Sequence, residues 1–149
     1  MTRLVVDASV AVPWAVPEAG DEAALRIRDA FAAGRLELLA PGLFVAEVAN
    51  ALWKKCRLQG ELTEQEAKQA LGLLLAALPE LAPEAPLAPQ AVYLALTYRR
   101  PVYDCLYVAL ALRERCPLVT ADGALRAAFA PTLGQLVRSP EEVVAGLRA

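Results

Sequence analysis

Arg3-Leu4-Val5-Val6-Asp7-Ala8-Ser9-Val10 and, near the other end of the chain, Leu118-Val119-Thr120-Ala121-Asp122-Gly123-Ala124-Leu125 decide the fold between them. Each begins as a short run of leucine and valine without helical period, which reads as a buried strand. Each strand then meets a carboxylate and passes into an apolar helical segment. Carboxylates at the C-terminal ends of parallel strands converge on one crevice, the place where open α/β sheets bind ligands. Several carboxylates in one crevice repel one another and call for a hard cation such as Mg²⁺ or Mn²⁺. The chain therefore reads as a metal-dependent enzyme.

Working outward, strands and helices alternate. Arg3 to Val6 is a strand, and Ala8 to Trp14 a short helical segment stopped near Pro13 and Pro17. Asp21 to Ala33 is a helix with Leu25, Ile27 and Phe31 inward and Gly34 as its stop. A strand at Leu36 to Leu39 leads through Pro41-Gly42 into a long helix from Leu43 to Leu58, with Val45, Val48, Ala49 and Leu52 as its buried stripe. Thr63-Glu64-Gln65-Glu66 has the form of a capping box and opens a helix to Leu78. Leu81 to Pro89 is a proline-rich connection with a short strand expected at Ala85 to Leu87. Helices follow over Pro89 to Arg100 and Asp104 to Arg115, separated by Pro101. A strand over Pro117 to Thr120, a helix over Gly123 to Phe129, a strand over Gln135 to Val137 and a helix capped by Ser139 complete the chain. This alternation predicts an α/β fold whose mostly parallel sheet is covered by helices on both faces, in one domain spanning residues 1–149.

Composition narrows the chemistry. The chain has no histidine, which removes Ser-His-Asp and Cys-His catalysis, paired-imidazole RNA cleavage and the usual zinc sites. Its three cysteines, Cys56, Cys105 and Cys116, form no C-x-x-C pair and read as reduced, mostly buried thiols. Oxygen ligands, metal and water are what remain for hydrolysis. A net charge of −2 argues against tight non-specific binding of nucleic acid, although Lys54, Lys55 and Arg57 cluster, as do Arg99 and Arg100. The apolar fraction is 57% and the mean hydropathy +0.38, which points to a partner chain or a homodimer. No apolar run is long enough to span a membrane, and Asp7 interrupts what would be the core of a secretory signal, so cytoplasmic residence is expected.

Four acids are the candidate ligands, and each has a plain structural alternative. Asp7 and Asp122 stand where an N-cap or Asx-turn would be, a role worth about 1 kcal/mol. Asp104 opens the apolar run Asp104-Cys105-Leu106-Tyr107-Val108-Ala109-Leu110-Ala111-Leu112, again a cap position, but in a helix apolar enough to be buried nearly all round. Glu47 lies within Phe44-Val45-Ala46-Glu47-Val48-Ala49-Asn50-Ala51-Leu52, where a lone glutamate is ordinarily a solvated charge, but it is flanked by apolar residues and shares a face with Asn50, three residues on. Tyr103 and Tyr107 read as core aromatics or as residues that line the crevice, with the core favoured. Lys54, Lys55, Arg99 and Arg100 are candidate phosphate contacts, and helix-end complementarity explains them equally well.

Taken together, Val5-Val6-Asp7-Ala8-Ser9, Val45-Ala46-Glu47-Val48-Ala49-Asn50-Ala51-Leu52, Tyr103-Asp104-Cys105-Leu106-Tyr107-Val108-Ala109-Leu110-Ala111 and Leu118-Val119-Thr120-Ala121-Asp122 resemble the PIN domain, and most of all its VapC-type toxin ribonucleases. The resemblance covers essentially the whole chain with the strings in family order. It implies a three-layer α/β/α fold and a Mg²⁺- or Mn²⁺-dependent endoribonuclease. It maps the acidic quartet onto Asp7, Glu47, Asp104 and Asp122, and the supporting hydroxyl and amide positions onto Ser9, Thr120 and Asn50. It further implies an RNA substrate, a VapB-type antitoxin that covers the groove, and a homodimer. Cys105 departs from the pattern, which more often has a small residue such as alanine there.

The resemblance implies hydrolysis by a metal-activated water, in-line at phosphorus, leaving a 5′-phosphate and a 3′-hydroxyl. Asp7 and Asp104 are then the core metal ligands, Asp122 a ligand directly or through water, and Glu47 the group that binds a second ion or positions the nucleophile. Three other readings are weighed. A PIN-like nuclease of RNA processing needs no antitoxin, and a weakly active PIN module that only binds RNA or protein has no need of four converging acids. A phosphoacceptor receiver needs a late lysine, and none follows Lys68.

Overall fold

A computed structural model describes residues 2–147 and contains five strands and eight α-helices among them. In chain order these are β1 (Thr2–Val6), α1 (Ala8–Ala11), α2 (Glu22–Ala32), β2 (Leu36–Pro41), α3 (Leu43–Arg57), α4 (Glu64–Leu75), β3 (Glu80–Ala82), α5 (Ala88–Tyr98), α6 (Val102–Glu114), β4 (Leu118–Val119), α7 (Gly123–Leu133), β5 (Val137–Arg138) and α8 (Pro140–Gly146). The strands form one sheet in the order β3-β2-β1-β4-β5, with every pairing parallel. From β1 the chain steps outward through β2 to β3, then crosses to β4 and steps outward again to β5. Right-handed crossovers in opposite directions put α1 to α4 on one face and α5 to α7 on the other. The expected three-layer α/β/α architecture is what the chain adopts.

The reversal of strand order falls at the β1–β4 pair, so the crevice outside the C-terminal ends of these two strands is the switch point of the sheet. The Asp7 amide donates to the Val119 carbonyl at 3.1 Å and the Thr120 amide to the Arg138 carbonyl at 3.0 Å, which carries the pairing past both strand ends. Both expected carboxylate turns are thereby held side by side.

Beneath them lies a core of Val5, Val6, Leu38, Leu118 and Val119 from the sheet, with Ile27, Phe44 and Phe129 from the helices. Helix α6 is buried continuously from Cys105 to Ala111, as its composition predicts. Phe129 is fully buried and its ring packs 4.3 Å from that of Tyr98, joining α7 to α5. Phe129→Ala should lower the unfolding free energy by about 3–5 kcal/mol, measured by urea denaturation, because it opens a cavity between α7 and α5 that the packed core fills only in part.

Local expectations hold where capping chemistry is explicit. Thr63 with Glu66, and Ser139 with Glu142, form reciprocal capping boxes. Several details differ, among them α7, which runs on to Leu133, and the last strand, which is Val137–Arg138. The third strand is Glu80–Ala82, paired with Leu39–Pro41, and Ala85–Leu87 is a 3₁₀ turn. Pro86 has no N–H to give a ladder, so that segment is a poor strand. Helix α4 stops at Leu75, earlier than expected, because the chain must turn into β3. Helix α6 begins at Val102 behind Pro101, placing Asp104 within its first turn. The buried face of α3 is Phe44, Val48 and Leu52, at four-residue spacing, with Val45 and Ala49 only partly covered. No helix among the described residues is long and apolar enough to cross a membrane.

Candidate active site

At the switch point a cleft of about 490 Å³ is lined by Asp7, Ser9, Glu47, Asn50, Lys54, Lys55, Asp104 and Asp122, together with Pro13, Val16, Glu18 and Asp21. The four expected acids come from four separate elements: the ends of β1 and β4, the middle of α3 and the first turn of α6. Glu47 and Asn50 both face the cleft, as their three-residue spacing on α3 requires.

Asp7 precedes α1 but makes no side-chain capping bond to it. Its Oδ2 instead accepts from Ser9 Oγ and from Thr120 Oγ1, each at 2.7 Å. Both hydroxyls are themselves fixed: Ser9 Oγ accepts from the Ala121 amide at 3.0 Å and Thr120 Oγ1 from the Asp122 amide at 3.1 Å. Thr120 is wholly buried, and Arg126 holds its carbonyl at 2.8 Å. The two donors lock the rotamer of Asp7 and leave Oδ1 without a side-chain donor among the described residues.

Burial raises the Asp7 carboxyl above the ordinary carboxylate range. The two hydroxyl donors oppose that shift, and the charge of Asp104 adds to it. Glu47 is also pushed up, first by burial and then by the charges of Asp7 and Asp104, against the bond from Tyr107. Tyr107 OH donates to Glu47 Oε1 at 2.6 Å, and its own pKa is raised by burial and by that carboxylate. Sequence reading assigns Tyr107 to the core, and its ring is there. The hydroxyl's role could be found only from the juxtaposition of α6 with α3.

Asp122 does both things its position allows. Oδ1 caps α7 by accepting from the amides of Ala124 and Leu125 at 2.9 and 3.1 Å, while Oδ2 turns to the cleft. Asp104 is no cap, since Pro101 occupies that place. Its Oδ2 is 2.8 Å from Arg100 Nη2, and the same nitrogen lies 3.7 Å from Asp122 Oδ2. Of the four basic candidates, Lys54 lines the cleft without an ion pair among the described residues, and Lys55 pairs with Glu18 and Glu61 at 2.9 and 3.2 Å. Arg99 closes α5 in a left-handed conformation with φ of 56°, and Arg100 is turned inward to the acids. Cys105 is buried, and burial pushes its thiol up to about 11, so it packs as a neutral side chain.

Oxygen donors dominate this cleft: six carboxylates line it, Glu18 and Asp21 besides the four expected acids, together with the Ser9 hydroxyl and the Asn50 amide, without imidazole. That set fits a hard divalent cation. As they stand, no three acidic side chains among the described residues are arranged to hold an ion. Asp104 is engaged by Arg100 and Glu47 by Tyr107.

A raised carboxyl costs stability where it must ionise. Native Asp7 holds its proton to higher pH than it does in the unfolded chain, so stability falls as pH rises from about 4 through the native value. In EDTA, Asp7→Asn should therefore match the parent's melting temperature below about pH 4 and exceed it at neutral pH. A gain of roughly 2–4 °C corresponds to about 1 kcal/mol in a domain of this size. A melting-temperature difference that does not change with pH would contradict the burial argument.

The fold and the cleft define a PIN domain: residues 4–129 match that family, and the chain belongs to it. Within the family the chain is of the VapC type. It is 38% identical over 129 residues to ribonuclease VapC3 of Pyrobaculum aerophilum, covering 85% of this chain and 95% of the relative. It is 37% identical over 89 residues to ribonuclease VapC1 of Mycobacterium tuberculosis, covering 60% and 65% of the two chains. The solved structure of PAE2754 from Pyrobaculum aerophilum superposes with a TM-score of 0.68 at 26% identity, covering 97% of this chain and 95% of that one.

Proposed function

We propose that the whole chain, as one domain, is a Mg²⁺- or Mn²⁺-dependent endoribonuclease and the toxin of a toxin–antitoxin pair. The observation that carries this reading is the cleft itself, where Asp7, Glu47, Asp104 and Asp122 meet with Ser9 and Asn50 at the sheet's switch point. The VapC-type relatives named as ribonucleases support the choice of RNA.

In this reading Asp7 and Asp104 are the core metal ligands, Asp122 contributes through Oδ2, and Glu47 binds a second ion or positions the attacking water. When bound, the cation supplies a water of lowered pKa and a counter-charge for the phosphate. Ser9 and Thr120 keep Asp7 Oδ1 turned to the cleft by holding Oδ2. Tyr107 holds the Glu47 carboxylate against the field of Asp7 and Asp104, and Asn50 offers an amide to substrate or water beside it. Lys54, Lys55, Arg99 and Arg100 are the groups proposed to meet RNA phosphates, with Lys54 the most available.

Uncovered apolar surface supports the two protein partners of this reading. Val92, Tyr93, Leu96, Val102 and Tyr103 are exposed on α5 and the start of α6, with Leu96 79% accessible. Such a face suits a homodimer. A groove between α3 and α4, lined by Leu52, Trp53, Cys56, Ala67 and Leu71, offers further apolar contact to a VapB-type antitoxin that covers the active-site groove. Cytoplasmic residence accords with free thiols at Cys56, Cys105 and Cys116.

The direct test is incubation of the purified protein with structured and single-stranded RNAs in Mg²⁺. Cleavage to fragments with 5′-phosphate and 3′-hydroxyl ends is expected. Fragments with 2′,3′-cyclic phosphate, or no cleavage of any RNA, would refute the reading.

A further inference from the structure

Charge in the cleft is compensated unevenly. Asp7 and Glu47 are held by neutral hydroxyls alone. Asp104 and Asp122 share a cation that the chain itself supplies, Arg100, through a single nitrogen. Its backbone is confined between Arg99, in the left-handed region, and Pro101, which caps α6, so the side chain starts one helical turn before Asp104. The side chain is only 23% accessible, and its Nε is buried with no hydrogen-bond partner among the described residues. A guanidinium built in as a permanent brace normally has its fork satisfied. This one engages through one edge and leaves a buried donor unused.

We infer that Arg100 is the resident counter-ion of the cleft, neutralising Asp104 and Asp122 until a divalent cation takes those carboxylates, so that metal loading is an exchange of one cation for another. The inference rests on the reading above that these acids bind the metal, and it explains why no three acids among the described residues are poised around one point. Arg100 lowers the metal affinity of the cleft while preventing two converging carboxylates from repelling each other in its absence. It is a positioning residue for the ligands.

The test is Mn²⁺ affinity of the full chain, read from the electron paramagnetic resonance signal of free Mn²⁺. Arg100→Gln should bind Mn²⁺ about tenfold more tightly than the parent, because one competing positive charge has left contact with two ligands. Arg100→Lys, which keeps the charge, should stay near the parent. Unchanged or weaker binding in Arg100→Gln overturns the exchange. A second measurement needs no variant: in a Mg²⁺ titration followed by ¹H–¹⁵N NMR, the Arg100 Nε resonance should move with the same midpoint as metal binding, and a static resonance overturns it. Asp7→Asn separates the two levels of inference. If Mn²⁺ binding survives Asp7→Asn, or the parent binds none, the metal assignment fails and the exchange with it. If Asp7→Asn abolishes binding but Arg100→Gln leaves it unaltered, only the exchange fails.

Discussion

Asp7→Asn and Asp104→Asn should each reduce RNA cleavage by about 10³-fold or more, with the far-ultraviolet circular dichroism of the parent retained. The magnitude follows from the several kcal/mol of charge stabilisation that a correctly held metal supplies, at 1.36 kcal/mol for each factor of ten. Asparagine keeps the shape of Asp7 and an oxygen for the Ser9 and Thr120 donors, so the hydroxyl network persists while the charge goes. At Asp104 the same change costs Arg100 its nearest partner but leaves Asp122 beside it. Asp7→Asn also separates catalysis from stability. The variant is expected to be inactive yet more stable at neutral pH without metal, an outcome general unfolding cannot imitate. Retention of more than about a tenth of the parent's cleavage rate by either variant would refute the assignment of these acids.

Removal of divalent cations should have an equally large effect. EDTA is expected to bring cleavage to background, and excess Mg²⁺ or Mn²⁺ to restore it. The same titration has a thermodynamic face. A ligand at 100 times its dissociation constant stabilises the native state by about 2.7 kcal/mol. That corresponds to a rise of roughly 5–11 °C in melting temperature for a chain of this length. The rise should disappear in Asp7→Asn. It should also shrink as pH falls through the raised range of Asp7 and Glu47, because protons and metal compete for the same oxygens. Cleavage undiminished in EDTA, with no metal-dependent change in melting temperature, would exclude the metal mechanism outright.

Much of the fold is legible in short strings. Leu4 to Val6 and Leu118 to Val119 are too apolar and too short for anything but buried parallel strands, and the explicit capping boxes at Thr63 and Ser139 mark where α4 and α8 begin. The third strand is illegible for a physical reason: three residues, Glu80 to Ala82, carry no periodic signal, and only the neighbouring backbone of β2 makes them a strand. In the cleft the same division holds. Glu47 and Asn50 can be placed on one face from helical spacing alone, whereas the Tyr107 hydroxyl reaches Glu47 across sixty positions of sequence, a bond no local pattern encodes.

The sequence by itself determined the chemistry available: no imidazole, oxygen ligands in excess, and acids at strand ends and helix starts. It also determined the layered fold, because alternating buried strands and amphipathic helices have few ways to cover one another. Only the tertiary structure decided how each acid is used. It gave Asp7 two hydroxyl donors instead of a helix to cap, split Asp122 between a cap and the cleft, and turned Arg100 onto Asp104 and Asp122. A carboxylate's role depends on which donors and charges lie within a few ångströms of it, and most of those neighbours come from distant parts of the chain.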